Sequence, residues 1–432
     1  MTQGKIISLM VGATIAGLSL ASHASAQATT VQLWLHEHPP RHVIDEEIIA
    51  AFEAQNPEVD VQLTLMNHTD MGTRLLTGLA TGSGPDLFNF LSTDIGQYYA
   101  SGFLAPLDVA AAGFGSAQEL DQQFLQGSLA GITFDGVPYG LPTEVSDYYC
   151  YANRALWKEA GLDPAVDYPK TWEELIDIAE KLTVRDGAGN PTRRGFDFNW
   201  NGNFFMWTQF EPMVRQLGAT MVGEDYTAHL NTPEVAKVYQ YWADWANKYR
   251  LGGSQYPYSR EAFYAGEIAT DCSIGIWGVP LMAQNKIDFS VFPVPRWSDA
   301  KSDNGFGNYA YYLMVNKRST PEVQAAAWKF ARFYTTYQAK LFTDAGLFVP
   351  APETIALDAA KSTAGMDVYL SEFSKSFFPA RIAGFAAVGD AFVRARDRIV
   401  QGNEEIAPVL ESLQAEVDGI LASEKAAAEA RQ

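Results

Sequence analysis

The chain of 432 residues contains only two cysteines, Cys150 and Cys272. Two thiols are too few for a disulfide-rich scaffold, and they cannot by themselves complete a cysteine-based structural zinc site. In an oxidising compartment they could form one disulfide, or both could be buried free thiols that pack as small apolar groups. The sequence contains no information on the distance between their Cα atoms, so both interpretations stay open at this point.

Basic residues are scarce relative to acidic ones, with 31 Lys and Arg against 51 Asp and Glu and a formal charge of −20. Without a cluster of Lys and Arg, the chain lacks the groups that neutralise nucleic-acid phosphates or bind anionic membrane surfaces. The 47% of hydrophobic residues and 19% of charged residues permit a substantial core. The length predicts two or three domains, or one large α/β unit.

Long apolar runs are confined to the N-terminus. Lys5 precedes an apolar run over residues 6–20, and Ala24, Ser25 and Ala26 have the small-residue pattern that signal peptidase recognises. The run is too short to span a bilayer comfortably, and no cysteine near the cut could carry a lipid anchor. We therefore predict a signal peptide over residues 1–26, cleaved after Ala26, and export to a bacterial periplasm.

The beginning of the mature chain alternates between strand and helix patterns. Apolar residues alternate over residues 31–35, recur at helical spacing over 44–52, and alternate again over 59–65. This order predicts a βαβ unit with parallel strands. A second helix over 71–80 and a third short strand over 86–90 extend the pattern, so the fold class predicted is α/β with an open sheet.

Later helices are marked by their caps and apolar stripes. Residues 171–174 form a capping box, Thr232 and Pro233 open a helix predicted over 234–249, and Ser319 to Pro321 opens another. Trp242 and Trp245 lie on one apolar stripe, and we predict that they belong to the core.

Polar side chains follow the first and third predicted strands. His36, Glu37 and His38 follow the first, and Ser92 and Asp94 follow the third. Open α/β sheets bind ligands beyond the carboxyl ends of their strands. These residues therefore predict two loops that line a cleft, although ordinary solvated loops have the same composition.

The first of these loops also suggests a metal site. His36, His38 and His42 lie within seven positions with Glu37, and imidazoles with a carboxylate can hold zinc or copper. However, two prolines split the group, and an H-x-H segment in extended backbone points its rings to opposite sides. We favour histidines that hydrogen-bond a polar ligand, and we predict no metal and no cofactor. The Rossmann, Walker, G-x-S-x-G and H-E-x-x-H motifs do not occur.

Aromatic residues make up 13% of the chain. Trp200, Trp207, Trp277 and Trp297 lie near Gly or Pro and outside clear helical stripes, where their faces could pack on the C–H surface of a sugar. Core packing is the alternative for each of them. An exported carbohydrate-active enzyme stays open too, because its carboxylate pair is defined by a distance in space.

The order of several segments is similar to that in the family 1 extracellular solute-binding proteins of ABC importers, a maltose-binding-protein-like group. The resemblance covers nearly the whole mature chain and includes Trp34 in the first strand. The matching segments, in chain order, are AFEAQNP (51–57), LATGSGPDL (79–87), GFLAPLD (102–108), PYGLP (138–142), YANR (151–154), KEAGL (158–162), TWEEL (171–175) and FYAGE (263–267) before Trp277.

The resemblance implies two α/β lobes joined by a hinge that the chain crosses more than once. Residues 27–144 and 288–342 would form the N-lobe, and residues 145–287 and 343–432 the C-lobe. It also implies that a monomer captures a solute by closing the lobes and delivers it to the membrane permease of an ABC importer.

The resemblance also implies a set of ligand-binding residues. They come from two loops of the N-lobe, from the first crossing, from two aromatic positions of the C-lobe, and from two late segments: His36, Glu37, His38, Phe90, Ser92, Asp94, Glu144, Asp147, Trp207, Trp277, Asn308 and Arg381.

The ligand class expected is a neutral mono- or oligosaccharide, which suits the aromatic and acidic residues. An anionic sugar derivative is the alternative within the family, with Arg381, His36 and His38 as possible cationic partners. Two departures from the family pattern stand out. Cys150 and Cys272 lie in matching strands where cysteine is unusual, so a disulfide within the C-lobe is a hypothesis. The histidine-rich first loop is also unusual, so no known sugar specificity is transferred.

Overall fold

The computed structural model describes residue 1, residues 28–200 and residues 202–430. The predicted signal peptide and its cleavage site lie outside the described residues, apart from Met1. The described chain forms two mixed α/β lobes, each built around a five-stranded sheet, as predicted. The strands are β1 Thr29–His36, β2 Val59–Met66, β3 Leu87–Leu91, β4 Thr133–Phe134, β5 Val137–Pro138, β6 Leu141–Ser146, β7 Tyr149–Asn153, β8 Val184–Arg185, β9 Pro191–Phe196, β10 Ile268–Ile274, β11 Phe289–Phe292 and β12 Tyr309–Val315.

The first sheet has the order β2-β1-β3-β12-β6. β1 runs parallel to both β2 and β3, which confirms the predicted βαβ unit. β12 runs antiparallel to β3 and to β6. Because β12 starts where β1, β3 and β6 end, these four strands present their ends at one edge of the sheet.

The second sheet has the order β11-β7-β10-β9-β8. β7 is antiparallel to β10 and β11, whereas β9 and β10 are parallel. The short strands β4 and β5 form a separate hairpin.

Helices cover the sheets of both lobes. Within the described part of the chain, none of them combines the length and apolar character that crossing a bilayer requires. The helices are α1 His42–Gln55, α2 His68–Thr81, α3 Ile95–Ala100, α4 Ala117–Gln123, α5 Arg154–Glu159, α6 Trp172–Leu182, α7 Glu211–Gln216, α8 Pro233–Ala243, α9 Ser259–Tyr264, α10 Val279–Gln284, α11 Pro321–Thr335, α12 Gln338–Ala345, α13 Pro352–Ala356, α14 Asp358–Ser362, α15 Met366–Phe373, α16 Phe385–Val400 and α17 Ile406–Glu429; 3-10 turns lie at Pro39–Arg41, Ala130–Ile132 and Ile276–Gly278, and π-helical turns at Met206–Phe210 and Asp244–Lys248.

The predicted caps are confirmed. Thr171 accepts from the Glu174 N–H and forms the full capping box of α6. Thr232 caps α8, which continues as a π-helical turn to Lys248. Trp242 and Trp245 are fully buried in the core of the second lobe, as predicted.

Three segments connect the two sheets: residues 147–148, residues 293–308 and residues 374–384. They also bond to one another. The Gly305 N–H donates to Lys375 O at 3.2 Å, and the Asn308 N–H donates to Phe377 O at 2.8 Å. We propose that this bundle of crossing segments is the hinge.

Backbone pairing shifts the proposed lobe boundaries. Phe289–Phe292 was assigned to the N-lobe, but it pairs with Cys150–Asn153 in the second sheet. Phe348 was assigned to the C-lobe, but its carbonyl accepts from the Val145 N–H of the first sheet at 2.8 Å. Pairing between residues that are distant along the chain cannot be predicted from the periodicity of a local segment. We therefore propose an N-lobe of residues 28–146 and 309–350 and a C-lobe of residues 149–292 and 385–430. Residues 351–373 pack against both, since the Tyr369 hydroxyl donates to Val145 O and Gly365 packs on Val291 of β11.

Cys150 and Cys272 form a disulfide between β7 and β10, so the structure contains the disulfide and not the two free thiols. The bond joins residues separated by 122 positions. Closing so long a loop restricts the unfolded chain and stabilises the folded one.

Replacing both cysteines by alanine is expected to lower the free energy of unfolding by about 2–5 kcal/mol. Urea unfolding followed by circular dichroism measures the change, and a reducing agent should shift the midpoint of the original chain but not that of the variant. Identical midpoints for the two proteins would contradict the prediction.

Candidate functional site

The candidate site lies where the edge of the first sheet faces the second lobe. His36 ends β1, Ser146 ends β6 and Tyr309 begins β12. The crossing segments start from the same edge. Side chains at these strand ends are therefore held by backbone pairing on one side and by the hinge on the other.

His36 is fixed in this edge by three contacts. Its ring stacks on Tyr311 with centroids 4.0 Å apart and planes at 20°. Its backbone N–H donates to Asn89 Oδ1 at 3.0 Å, which leaves the Asn89 amide nitrogen to donate to His36 Nδ1 at 3.0 Å. Burial, aided by the charge of Arg41, lowers the pKa of His36 well below its ordinary value. The ring is therefore neutral, and the tautomer in which Nδ1 accepts from Asn89 leaves Nε2–H as a donor.

The other histidines of the first loop point elsewhere. His38 Nε2 lies 3.1 Å from Ala345 O and donates to it, Glu37 is exposed, and His42 Nε2 is buried without a partner in the described structure. No group of three or more His, Cys, Asp or Glu among the described residues could hold a metal ion. Among the residues described, the three imidazoles of this loop therefore do not converge on one point.

The side chains of the second loop contact other groups of the protein and hold the site in place. Phe90 is buried and stacks on His68 at 4.9 Å, and Ser92 Oγ accepts from the Ala310 N–H at 3.0 Å. Asp94 accepts from Thr93 Oγ1 at 3.0 Å. Burial raises the pKa of Asp94, although its hydrogen bond to Thr93 and the nearby His68 oppose the shift.

Asp147 begins the first crossing, and Glu144 lies three residues before it, in β6. Glu144 accepts from the Tyr309 hydroxyl at 3.0 Å, and burial raises its pKa to about 7. Asp147 is fully buried, accepts from the Tyr148 N–H at 2.6 Å and from the Ser376 hydroxyl, and burial raises its pKa to about 8. Asp147 therefore ties the first crossing to the third.

The burial of Asp147 predicts a pH-dependent stability. Its pKa is raised from 3.8 to about 8 in the folded chain, so the folded state keeps a proton that the unfolded state releases. The stability contributed by this group is therefore present at low pH and is lost as the pH rises from about 4 to 8. We expect the advantage of Asp147→Asn over the original chain to grow between pH 5 and pH 8, measured by urea unfolding.

Asp121→Asn, at an exposed position of α4, is the matched control and should leave the pH profile unchanged. Parallel pH profiles for Asp147→Asn and the original chain would contradict the prediction.

Aromatic rings continue from the hinge into the second lobe. The ring centroids of Tyr309 and Tyr148 are 5.6 Å apart. Those of Tyr148 and Phe205 are 6.4 Å apart, and those of Phe205 and Tyr258 are 5.6 Å apart. The half-buried Trp277 lies on the same side, because the Arg260 guanidinium lies 5.1 Å from its ring centroid and 5.0 Å from that of Tyr258. Tyr309 also lies 6.4 Å from Tyr311, which stacks on His36, so these rings form one cluster that runs from the first sheet across the hinge, and Trp277 joins it through Arg260. We call this cluster the aromatic lining.

Trp207 does not share this position. Its side chain is fully buried and stacks on Phe385 at 4.5 Å with planes at 18°, and Phe392 packs at 5.0 Å. Both partners come from α16. α16 therefore covers the ring in the conformation described, which does not support the predicted role as an aromatic platform.

Arg381 is also placed differently from the prediction. It pairs with Glu224 at 2.6 Å and donates to the carbonyls of Ala130 and Thr133 in the first lobe. Its donors are therefore used to join the lobes. Arg381 and Asn308 line a cavity of about 500 Å³ beside the hinge, whose lining includes no described residue of the first histidine loop. Asn308 Oδ1 is buried with no hydrogen-bond partner among the described residues.

Sequence reasoning missed His68, Tyr148, Tyr258 and Tyr311, which flank the predicted residues. Two of them carried a usable signal: His68 follows the end of β2, and Tyr311 lies on the strand that returns to the same edge. Tyr258 carried none, because it precedes a short helix far from any predicted strand end.

Comparisons with known proteins agree with this architecture. The family model described as bacterial extracellular solute-binding protein matches residues 41–341. A binding protein of Brucella abortus (strain 2308) is 24% identical over an alignment of 432 positions, which covers 94% of this chain and 97% of that one. The maltotriose-binding protein of Pyrococcus abyssi is 22% identical over 308 residues, covering 71% of this chain and 62% of the other.

A solved structure shows the same fold. The cyclic alpha-maltosyl-1,6-maltose binding protein from Arthrobacter globiformis superposes with a TM-score of 0.76 at 20% identity, covering 92% of this chain and 100% of the other. The family model spans well over half of the sequence. The chain belongs to the bacterial extracellular solute-binding protein family.

Proposed function

We propose that this protein is the substrate-binding protein of an ABC importer and that it captures a carbohydrate between its lobes. The aromatic lining that joins His36 and Tyr311 to Tyr258 and Trp277 is the observation that carries the proposal. Ring faces pack on the C–H surfaces of sugars, and the polar groups beside them can bond hydroxyls. The sugars named for the Pyrococcus and Arthrobacter relatives support the same ligand class.

The hinge gives the proposal a mechanism. A solute that contacts both lobes binds the closed arrangement better than an open one, so binding shifts the population toward closure. The closed protein then delivers its cargo to a membrane permease. We propose that it acts as a monomer in the periplasm, after cleavage behind Ala26.

Binding without turnover distinguishes this function from an exported carbohydrate-active enzyme. The family and the relatives compared above are binding proteins. We propose that the buried carboxyls of Glu144 and Asp147 serve the hinge, because each accepts a hydrogen bond from a neighbouring segment.

A thermal-shift panel on refolded protein, freed of co-purified ligand, tests the function. The panel contains neutral sugars, oligosaccharides, polyols, sugar acids, sulfonated sugars and divalent metals. A solute at 100 times its Kd stabilises the folded state by about 2.7 kcal/mol. We expect one solute class to raise the melting temperature and to be recovered chemically unchanged. Turnover of the solute, or stabilisation by a metal alone, would contradict the proposal.

A further inference from the structure

Arg260 occupies the second-lobe side of the aromatic lining. It is the second residue of α9, and its guanidinium lies 5.0 Å from the Tyr258 ring centroid and 5.1 Å from that of Trp277. Two aromatic faces hold the guanidinium by cation–π attraction and limit the positions open to it.

The hydrogen-bonding capacity of Arg260 is largely unused. The one acidic partner within ion-pair distance among the described residues is Glu261, at 3.6 Å, whose side chain is 63% exposed. An exposed ion pair of that length contributes little to the stability of the protein. The nearby buried carboxylate of Asp271 already accepts from the N–H and the hydroxyl of Ser273, at 2.9 and 3.0 Å.

Two further polar groups without partners lie nearby, one in the 3-10 turn Ile276–Gly278 and one at the end of α9. Trp277 Nε1 and the Tyr264 hydroxyl are buried, and neither has a hydrogen-bond partner in the described structure. A Cβ at Gly275 would lie 2.6 Å from Trp277 Nε1, and one at Gly278 would lie 2.9 Å from the Tyr264 hydroxyl. Glycine at both positions leaves room for these groups.

Apart from the Asp271 carboxylate, whose oxygens already accept from Ser273, the polar groups of this cluster are donors. The guanidinium and the indole N–H only donate, and the tyrosine hydroxyl is free to donate. A neutral sugar hydroxyl would bring its own donor to every bond, whereas a carboxylate, sulfonate or phosphate only accepts. Charge-assisted bonds to such a group are about twice as strong as neutral ones.

We propose that the Arg260 pocket, formed by Arg260, Tyr258, Tyr264 and Trp277, binds an anionic group of the solute. The cargo is then an acidic sugar or polyol derivative, with its anionic group in this pocket and its ring against the aromatic lining. This inference rests on the proposed function and assigns the pocket, in place of Arg381, as the cationic partner.

Isothermal titration calorimetry with matched solute pairs tests the inference. The pairs are glucose and glucuronate, galactose and galacturonate, glucose and 6-deoxy-6-sulfoglucose, and glycerol and sn-glycerol 3-phosphate. We expect the anionic member of one pair to bind at least tenfold tighter than its neutral partner. Arg260→Gln should weaken that binding by about 10–100-fold, as expected for a hydrogen bond to a charged group. Arg260→Lys should retain part of the affinity, because lysine keeps the positive charge but lacks the parallel N–H donors of the guanidinium.

Arg154→Gln is the control, since that arginine is half exposed and paired with Asp288 on the surface. Tight binding of neutral sugars that is unchanged in Arg260→Gln would overturn the inference and leave the proposed function intact. Failure of every neutral and anionic solute to bind the original chain would overturn both. The comparison within each pair uses the original chain, so it stands even if a variant does not fold.

Discussion

Replacing Asp45 by alanine is expected to lower the free energy of unfolding by about 3–5 kcal/mol, because the change leaves a buried guanidinium without its partner. Arg41 Nε donates to Asp45 at 3.0 Å, and the two side chains are 1% and 0% exposed. The Tyr334 hydroxyl donates to the other carboxylate oxygen at 2.7 Å. The same guanidinium also holds the predicted ligand loop, because Arg41 donates to His36 O at 2.5 Å.

Urea unfolding of Asp45→Ala measures this effect, with Glu46→Ala as the control. Glu46 is the next residue of α1 and is exposed, so its loss should change stability by no more than about 0.5 kcal/mol. A double replacement, Arg41→Met with Asp45→Leu, should recover much of the stability, because it removes both charges from the core. Equal losses for Asp45→Ala and Glu46→Ala would show that the pair is not buried in solution.

Trp277→Ala and Trp207→Ala are expected to have opposite effects. Trp277 is half-buried in the aromatic lining, so its loss should weaken solute binding about tenfold or more and change stability less. Trp207 is fully buried under α16, so its loss should lower the free energy of unfolding by about 3–5 kcal/mol. The affinity of the folded Trp207→Ala fraction should stay within about threefold of the original, since the indole contacts core residues.

Trp242→Ala is the control for the second effect, because that indole is also fully buried in the second lobe. It should resemble Trp207→Ala in stability and in affinity. If Trp207→Ala kept its stability and lost binding, the tryptophan would reach the solute in another arrangement of the lobes, and the original sequence-based prediction would stand.

Local patterns predicted the elements well. Alternation over β1 and β2 and helical spacing over α1 follow from which face of each element is buried, and the Thr171 and Thr232 caps follow from backbone donors at helix starts. The rule that ligand loops follow strand ends also led to His36, which lies at the edge of the first sheet.

Features that depend on distant residues could not be predicted in this way. The lobe membership of β11 depends on its pairing with β7, about 140 positions earlier in the chain. Neither Trp207 nor Trp277 lies on a clear helical stripe of the sequence, and the packing of α16 on Trp207 is what distinguishes the two indoles. Arg260 is of interest because polar groups of Trp277 and Tyr264 near it have no hydrogen-bond partner in the described structure. The spacing of residues along the chain does not reveal this arrangement.

A crystal structure of the protein with the solute found in the thermal-shift panel tests the central claim most directly. The account predicts one solute between the lobes, with its ring against Tyr311 or Trp277 and in reach of the His36 Nε2–H. A solute bound instead in the cavity beside Arg381 and Asn308, or at the outer surface of one lobe, would contradict it.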